Sequence, residues 1–185
     1  MRPHTLSHVV LRTPVSQLSA MKNFYRTFLD AEIVWENESI CFLTYDGEHH
    51  RIGLLATPET QPKPPSTAGL DHIAFTFASL ADLAKAYLKR KASGILPAMC
   101  LNHGPTTSMY YEDPDGNGLE TQVWNFESKE DIDLFLESPE FKANPIGVDF
   151  DPEELVRMIE AGVDERIIKK RVETGPRDLS DYRKD

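Results

Sequence analysis

The chain has 185 residues, a net charge of −10 and an apolar fraction of 40%. That length allows one domain with a sizeable core, or two small repeated modules that share one. The charge argues against binding to nucleic acid or to an anionic membrane surface, and no apolar run approaches the length of a membrane span. The N-terminus lacks a secretory signal pattern, and the two cysteines, Cys41 and Cys100, lie far apart in sequence. We therefore expect reduced, buried thiols in a cytoplasmic protein.

The first third of the chain has the pattern of one strand, one helix and three strands. The segment LSHVVLRT at 6–13 is strand-like, and the apolar residues after it fall at helical spacing with Ser16 as the predicted N-cap. Three strand-like segments follow, at 32–37, 39–45 and 50–56. Asp46-Gly47 is typical of a hairpin turn between the last two. The polar, proline-rich segment 57–68 is predicted to be a linker.

The same order of elements then begins again. A strand is predicted at 70–77, followed by a helix that starts after Ser79 as N-cap and ends at Gly94. Three more strands are predicted, near 95–99, 108–112 and 119–124. Leu6-Ser7-His8 aligns with Leu70-Asp71-His72 at an offset of 64 positions. The chain therefore contains two β-α-β-β-β modules, at 5–56 and 69–125, within a domain spanning 1–125.

Residues 126–185 have a different character and are predicted to form a helical C-terminal extension, not a second domain. One helix is predicted to begin at Asp151 as N-cap with Pro152 at its first position, and a second is predicted over 163–175. The last ten residues are predicted to be a loose tail. Together with the two modules, this makes the fold class α+β.

Three side chains of the two modules have the composition of a metal site. His8 and His72 hold equivalent positions in the first strands of the two copies, and Glu120 lies on the last strand of the second copy. A buried carboxylate is costly without a partner, and these side chains converge if the modules pack face to face. Two imidazoles and one carboxylate suit non-haem Fe(II), leaving three positions for substrate and O₂. The alternatives are structural histidines held by hydrogen bonds and a Glu120 exposed on an edge strand.

The repeat with its three candidate ligands resembles the vicinal oxygen chelate superfamily. The segment NHGPTTSMYYEDPDGNGLE at 102–120 is similar to the signature of the type I extradiol ring-cleavage dioxygenases, the family of 2,3-dihydroxybiphenyl and catechol 2,3-dioxygenases. Every specified position of that signature is filled: His103, Met109, Tyr110, Asp113, Pro114, Gly116 and Glu120. The pair His49-His50 resembles the acid–base histidine strand of the family. The usual enzymes have four modules in two domains, so this chain resembles the small one-domain members.

The resemblance implies a fold, a reaction and a set of roles. The two modules would form a curved sheet or half-barrel that holds Fe(II), with Mn(II) as an alternative, through His8, His72 and Glu120. The substrate would be a small aromatic diol, cleaved with O₂. His50 would be the acid–base residue, while His103 and Tyr110 would donate hydrogen bonds to the substrate oxygens. We also expect a homodimer or higher homo-oligomer, on frequency grounds.

Two other functions remain open for the same fold. Glyoxalase-like isomerases and epimerases use four protein ligands, and His50 lies close to the position of the fourth. A metal-free protein that binds a drug in the same cleft is the other alternative, although the presence of all three ligand-type residues argues against it. Tyr110 could also be a core aromatic residue whose hydroxyl is paired elsewhere, and His49 and His50 could be polar hairpin residues.

Overall fold

The computed structural model describes residues 1–64 and 67–181, which form two compact units. The first unit consists of Met1–Asp71 together with Glu112–Asn117, and the second of His72–Tyr111 and the residues from Gly118 onward. Two residues of the predicted linker, and the last four of the predicted tail, lie outside the described residues. In the described part of the chain, no helix is long and apolar enough to cross a membrane.

The first unit is built on a four-stranded sheet and one long helix. The sheet has the order β1-β4-β3-β2, in which β1 pairs with β4 in parallel and the other pairs are antiparallel. Its elements are β1 (Val9–Pro14), α1 (Leu18–Leu29), β2 (Glu32–Glu36), β3 (Ile40–Thr44) and β4 (Ile52–Thr57). The first module therefore forms a sheet of its own.

Helix α1 covers one face of this sheet. Successive strand residues point to opposite faces, so every second side chain of β3 and β4 is buried on the α1 side. From the helix, Met21 and Tyr25 are fully buried, and burial of each such side chain stabilises the fold by about 1.5–3 kcal/mol. The Tyr25 hydroxyl donates a hydrogen bond of 2.9 Å to Asp113 in the segment 112–117. That segment, which comes from the second module in sequence, thus completes the core of the first unit.

The second unit has the same order of elements and one additional strand. Its sheet has the order β5-β8-β7-β6-β9, with β5 parallel to β8 and β6 antiparallel to both β7 and β9. Its main elements are β5 (His72–Thr76), α2 (Leu80–Ala92), β6 (Met99–Asn102), β7 (Thr106–Glu112), β8 (Gly118–Trp124) and β9 (Val148–Asp149). The first four strands repeat the order of the first sheet, which confirms the predicted α+β fold with two β-α-β-β-β modules.

Local signals predicted the second module better than the first. Ser79 caps α2 as predicted, since its side chain accepts a hydrogen bond from the amide of Asp82. The prediction of Ser16 as the cap of α1 was wrong: a 3-10 turn at Val15–Gln17 precedes that helix, so Ser16 lies inside the turn. The predicted strand at 95–99 was also displaced, because Pro97 lacks an amide donor and β6 begins only at Met99.

The C-terminal extension supplies β9 and four helices to the second unit. These helices are α3 (Lys129–Leu136), α4 (Pro139–Ala143), α5 (Pro152–Glu160) and α6 (Glu165–Ile168). Asp151 caps α5 as predicted, accepting from the amide of Glu153, whereas the helix predicted over 163–175 is limited to α6. The Glu153 carboxylate accepts hydrogen bonds from Tyr87 and Lys91 of α2. The extension is therefore packed against the second module.

Candidate active site

The parallel pairing of β5 with β8 brings His72 and Glu120 together. His72 is opposite Gly118 and Glu120 is opposite Ala74, so the two residues are diagonal neighbours on one face of the sheet. The Nε2 atom of His72 lies 3.0 Å from Oε2 of Glu120. An imidazole nitrogen and a carboxylate are both ligands of Fe(II) in non-haem sites, so the donor groups of this pair fit a divalent metal.

The Glu120 carboxylate is buried, with 6% of the residue exposed, and is surrounded by hydrogen-bond donors. The Tyr110 hydroxyl of the neighbouring strand β7 donates to Oε1 over 3.1 Å. Burial raises the pKa of the Glu120 carboxyl, but hydrogen bonds from His72, Ser108 and Tyr110 outweigh it, so the pKa lies below its ordinary value. The buried Glu120 carboxylate is thus compensated by several hydrogen-bond donors in the same sheet, and it stays ionised.

His103, just after β6, extends this array. Its Nε2 atom lies 2.8 Å from the Tyr110 hydroxyl, and its Nδ1 atom lies 2.5 Å from the carbonyl oxygen of Ile146 in the extension. Burial is the largest influence on the ring and holds the pKa of His103 below its usual value, which keeps the imidazole neutral at pH 7. His103, Tyr110, Glu120 and His72 therefore form one continuous hydrogen-bonded row.

The two remaining predicted site residues, His8 and His50, lie side by side in the first unit. The rings of His8 and His50 stack with their centroids 4.3 Å apart, and Phe42 stacks on the other side of His50 at 4.5 Å. Burial, followed by the charges of His8 and His49, lowers the pKa of His50. His50 precedes β4 instead of lying within it, and its neighbour His49 is exposed. Of the two adjacent histidines, His50 is the one that accompanies His8.

The predicted site residues thus fall into two groups. His8 and His50 belong to the first unit, whereas His72, His103, Tyr110 and Glu120 belong to the second. Among the described residues, no cluster of three or more His, Cys, Asp or Glu side chains is assembled as a metal site. The structure therefore brings together two of the three proposed ligands, and His8 as the third stays a prediction.

Three groups near the site were missed by the sequence analysis. Ser108 hydrogen-bonds the Glu120 carboxylate, and its position in a strand two residues before Tyr110 was the available signal. The Ile146 carbonyl is a backbone group and carries no signal in the sequence. Arg171 donates to the carbonyl oxygen of His103 although 68 residues separate the two, and nothing in its charged local sequence marked it.

The comparison with protein families decides the classification. The family model described as "Glyoxalase/Bleomycin resistance protein/Dioxygenase superfamily" matches residues 5–121. The chain belongs to this superfamily. The membership confirms the resemblance read from the repeated modules and the 102–120 segment.

Curated relatives from Rhodococcus globerulus match most of the chain. "Biphenyl-2,3-diol 1,2-dioxygenase 2" is 44% identical over 84% of this chain and 82% of its own length. "Biphenyl-2,3-diol 1,2-dioxygenase 3" is 42% identical over 90% of this chain and 87% of its own length. Both matches are long enough to extend beyond the repeated modules, so the likeness includes part of the extension.

Solved structures of the superfamily share the fold. A glyoxylase/bleomycin resistance protein/dioxygenase domain from Frankia sp. EAN1pec has a TM-score of 0.57 at 19% identity, covering 69% of this chain and 96% of that one. A lactoylglutathione lyase from Agrobacterium tumefaciens has a TM-score of 0.53 at 18% identity, covering 66% and 96%. At these identities, the likeness shows the fold alone.

Proposed function

We propose that this chain is an Fe(II)-dependent extradiol dioxygenase, which uses O₂ to cleave the aromatic ring of a catecholic diol beside its two hydroxyl groups. The observation that carries the proposal is the buried carboxylate of Glu120, held between the His72 imidazole and the Tyr110 hydroxyl. The names of the two Rhodococcus globerulus relatives support the reaction and suggest a biphenyl-2,3-diol as one substrate.

His72 and Glu120 would hold the metal, with His8 of the first module as the third ligand. The ionised carboxylate and the two imidazoles together leave a divalent ion with a net positive charge and open positions. Bound there, Fe(II) would supply a shared binding point for the diol and O₂ and a path for electrons between them. Mn(II), which accepts the same ligand types, is the alternative metal.

The hydrogen-bonding side of the site is formed by Tyr110 and His103. The Tyr110 hydroxyl lies within hydrogen-bond distance of Glu120 and of His103, so it is held beside the proposed metal ligands. From that position it would bind a substrate oxygen and orient the diol. His103 reaches the site through Tyr110, since both of its ring nitrogens lie against protein groups.

His50 would be the acid–base residue that accepts a proton from the diol and later returns it. Cleavage of a diol requires a base that takes a hydroxyl proton and an acid that returns it. The lowered pKa of His50 keeps its imidazole neutral at pH 7 and ready to accept that proton. The rings of Phe42 and Trp35, which are tilted by 34° with their centroids 5.6 Å apart, continue the row from His50 and would offer an apolar surface to the aromatic substrate.

The test is anaerobic reconstitution with Fe(II), followed by measurement of O₂ uptake with a panel of diols. The panel would contain biphenyl-2,3-diol, catechol and 3-methylcatechol, and protein loaded with redox-inactive Zn(II) is the matched control. We expect one O₂ to be consumed for each diol by the iron-loaded protein alone. Iron-loaded protein that consumes no O₂ with any of these diols would contradict the proposal.

A further inference from the structure

The strand that leads to His103 is held by three separate parts of the C-terminal extension. Strand β9 pairs with β6 on the side away from β7. Ile146 packs in a buried cluster with Tyr110, and the side-chain amide of Asn102 donates a hydrogen bond of 3.0 Å to the carbonyl oxygen of Lys169. The end of β6 is therefore enclosed by residues that come much later in the chain.

The extension approaches this segment so closely that glycine is required on both sides of the contact. Gly104 has φ +98°, and a Cβ atom at this position would overlap the ring of Phe135 in α3. Gly147 has φ +113°, and a Cβ atom there would lie 2.5 Å from the carbonyl oxygen of Asn102. Glycine adopts this left-handed backbone readily, so the sequence permits the close packing at both positions.

Arg171 connects the extension to the backbone of His103 from a buried position. Only 2% of its side chain is exposed. Its Nη1 atom donates to the carbonyl oxygens of His103 and Asn144, each over 3.0 Å, and its Nη2 atom donates to that of Glu140 over 3.1 Å. Glu140 lies in α4 and Asn144 is its C-cap, where a cationic side chain is favourable. One guanidinium thus caps a helix of the extension and binds the His103 backbone.

The orientation of this guanidinium is itself fixed. The Glu173 carboxylate accepts from Nε over 2.6 Å and from Nη2 over 3.0 Å, and the Phe135 ring lies 5.1 Å from the guanidinium carbon. A paired carboxylate is what a buried cation needs, and the two parallel hydrogen bonds set the plane of the group. Because the fork is planar, its remaining donors are directed at fixed points.

His103 is in contact with its surroundings at four points, and the extension supplies two of them. Within the second module, its amide donates to the carbonyl oxygen of Thr106 over 2.9 Å, and Nε2 lies 2.8 Å from the Tyr110 hydroxyl. From the extension, Arg171 binds its carbonyl oxygen and the Ile146 carbonyl lies 2.5 Å from Nδ1. The place of the ring beside Tyr110 therefore depends on the extension as well as on the sheet.

We propose that Arg171 is a positioning residue of the active site, whose guanidinium anchors the backbone of His103 to the extension and so holds the His103 ring beside the Tyr110 hydroxyl. Arg171 acts through His103 and does not contact the substrate. The inference rests on the proposed function for its effect on turnover, whereas the placement of the ring can be measured without it.

The first test follows the His103 ring in metal-free protein. Histidine labelled with ¹³C at Cε1 gives one ring signal for each histidine in ¹H–¹³C NMR spectra, and a His103→Asn variant identifies the signal of His103. We expect Arg171→Met to move this signal toward that of the exposed His4, because the ring is released from its contacts. Arg166→Met is the matched control, since Arg166 has 89% of its side chain exposed and is paired with Asp164. A His103 signal that stays in place in Arg171→Met would overturn the inference.

The second test measures turnover and iron content together. We expect Arg171→Met to lower kcat by about 10–100-fold while its iron content after anaerobic loading stays that of wild type, because a small displacement of a positioned group is costly. Arg171→Lys keeps the charge but not the planar fork, so its kcat should also fall. Normal kcat in Arg171→Lys would mean that charge alone matters, which contradicts the anchoring role. Turnover that falls only in proportion to iron content or to the folded fraction would also contradict it.

A milder variant guards against loss of the fold. Glu173→Gln leaves the arginine in place but weakens the group that orients it, so we expect a smaller shift of the His103 signal and a smaller loss of kcat. If Arg171→Met does not fold, as judged by circular dichroism, Glu173→Gln and Arg171→Lys decide the question, and wild-type behaviour of both would refute the inference. If iron-loaded wild-type protein cleaves no diol, the proposed function fails and the NMR spectra still test the anchor.

Discussion

His72 and Glu120 are 48 positions apart in the chain, yet Nε2 of one lies 3.0 Å from Oε2 of the other on adjacent parallel strands. The contact places an imidazole beside a buried carboxylate in a sheet whose hydrogen bonds hold both backbones. Such rigid support suits metal binding, because the geometry of the donor atoms is fixed before the ion arrives.

Replacement of Glu120 by Gln tests its role as a ligand. The amide keeps the shape of the side chain and can still accept from Tyr110, so the fold should survive. Without the negative charge, iron affinity should fall by more than the roughly 10–100-fold that loss of an outer-shell partner costs. Iron retained after anaerobic loading and desalting is the measurement, with the exposed Glu112→Gln as control. Full iron content and normal turnover would exclude Glu120 as a ligand.

Replacement of His50 by Gln tests the acid–base assignment. We expect iron and diol binding to persist while the chemical step slows by about 10²–10⁴-fold, the range typical of proton-transfer catalysis. Single-turnover kinetics under O₂ measure that step, and His49→Gln, at the exposed neighbour, is the matched control. Loss of iron instead would indicate a fourth ligand and favour a glyoxalase-like isomerase.

Asp115 provides a prediction about pH and stability. Its Oδ2 atom is buried and lacks a hydrogen-bond partner among the described residues. Burial raises the pKa of this carboxyl above 3.8, although a hydrogen bond from Thr13 opposes the shift. Because its pKa is higher in the folded than in the unfolded protein, protonated Asp115 favours the folded state. This contribution to the free energy of unfolding is fully present below the unfolded-state pKa and is lost as the pH rises through the folded-state pKa.

Asp115→Asn should therefore raise the melting temperature at pH 7, because it removes a poorly solvated charge. The gain should be smaller at pH 4, where the wild-type carboxyl is partly protonated. Thermal unfolding at both pH values measures the difference, and Glu38→Gln, at an exposed acid of the same unit, is the control. An equal or larger gain at pH 4 would contradict the assigned pKa shift.

Truncation after Trp124 tests whether the extension is needed. The shortened chain loses Ile146, whose removal from the cluster with Tyr110 leaves a cavity, and loss of a single large core side chain typically costs 2–5 kcal/mol. We expect a destabilised protein with little turnover. Light scattering of both chains measures their mass, and a homodimer is expected for the full-length protein. A truncated chain of unchanged mass, stability and activity would show that the extension is dispensable.

The sequence predicted what depends on short-range chemistry. Ser79 and Asp151 were correctly assigned as caps, since each is followed within three residues by the amide that it accepts from. The pairing of His72 with Glu120 was foreseen as well, because the repeat placed both residues on the first and last strands of one module. Periodicity and repetition are local or symmetric features, and both are visible in a single sequence.

What escaped prediction depends on contacts between distant segments. No spacing rule connects Arg171 with His103, and a backbone carbonyl such as that of Ile146 leaves no trace in residue type. The error at Ser16 has a different cause: a serine before an apolar periodic run is a good cap signal, but the chain entered α1 through a 3-10 turn. The assignment of 126–185 as an extension outside the 1–125 domain stays a prediction.

The bond between Tyr25 and Asp113 also constrains how the protein is made. The first unit ends at Asp71 except for the segment 112–117, so the ribosome must add about 40 more residues before the acceptor for the tyrosine hydroxyl exists. At roughly 5–20 residues per second, the early part of the chain waits a few seconds before this phenol can exchange water for its carboxylate partner. During that interval, the first repeat lacks the segment 112–117 that belongs to its unit. The repeat translated last therefore completes the repeat translated first.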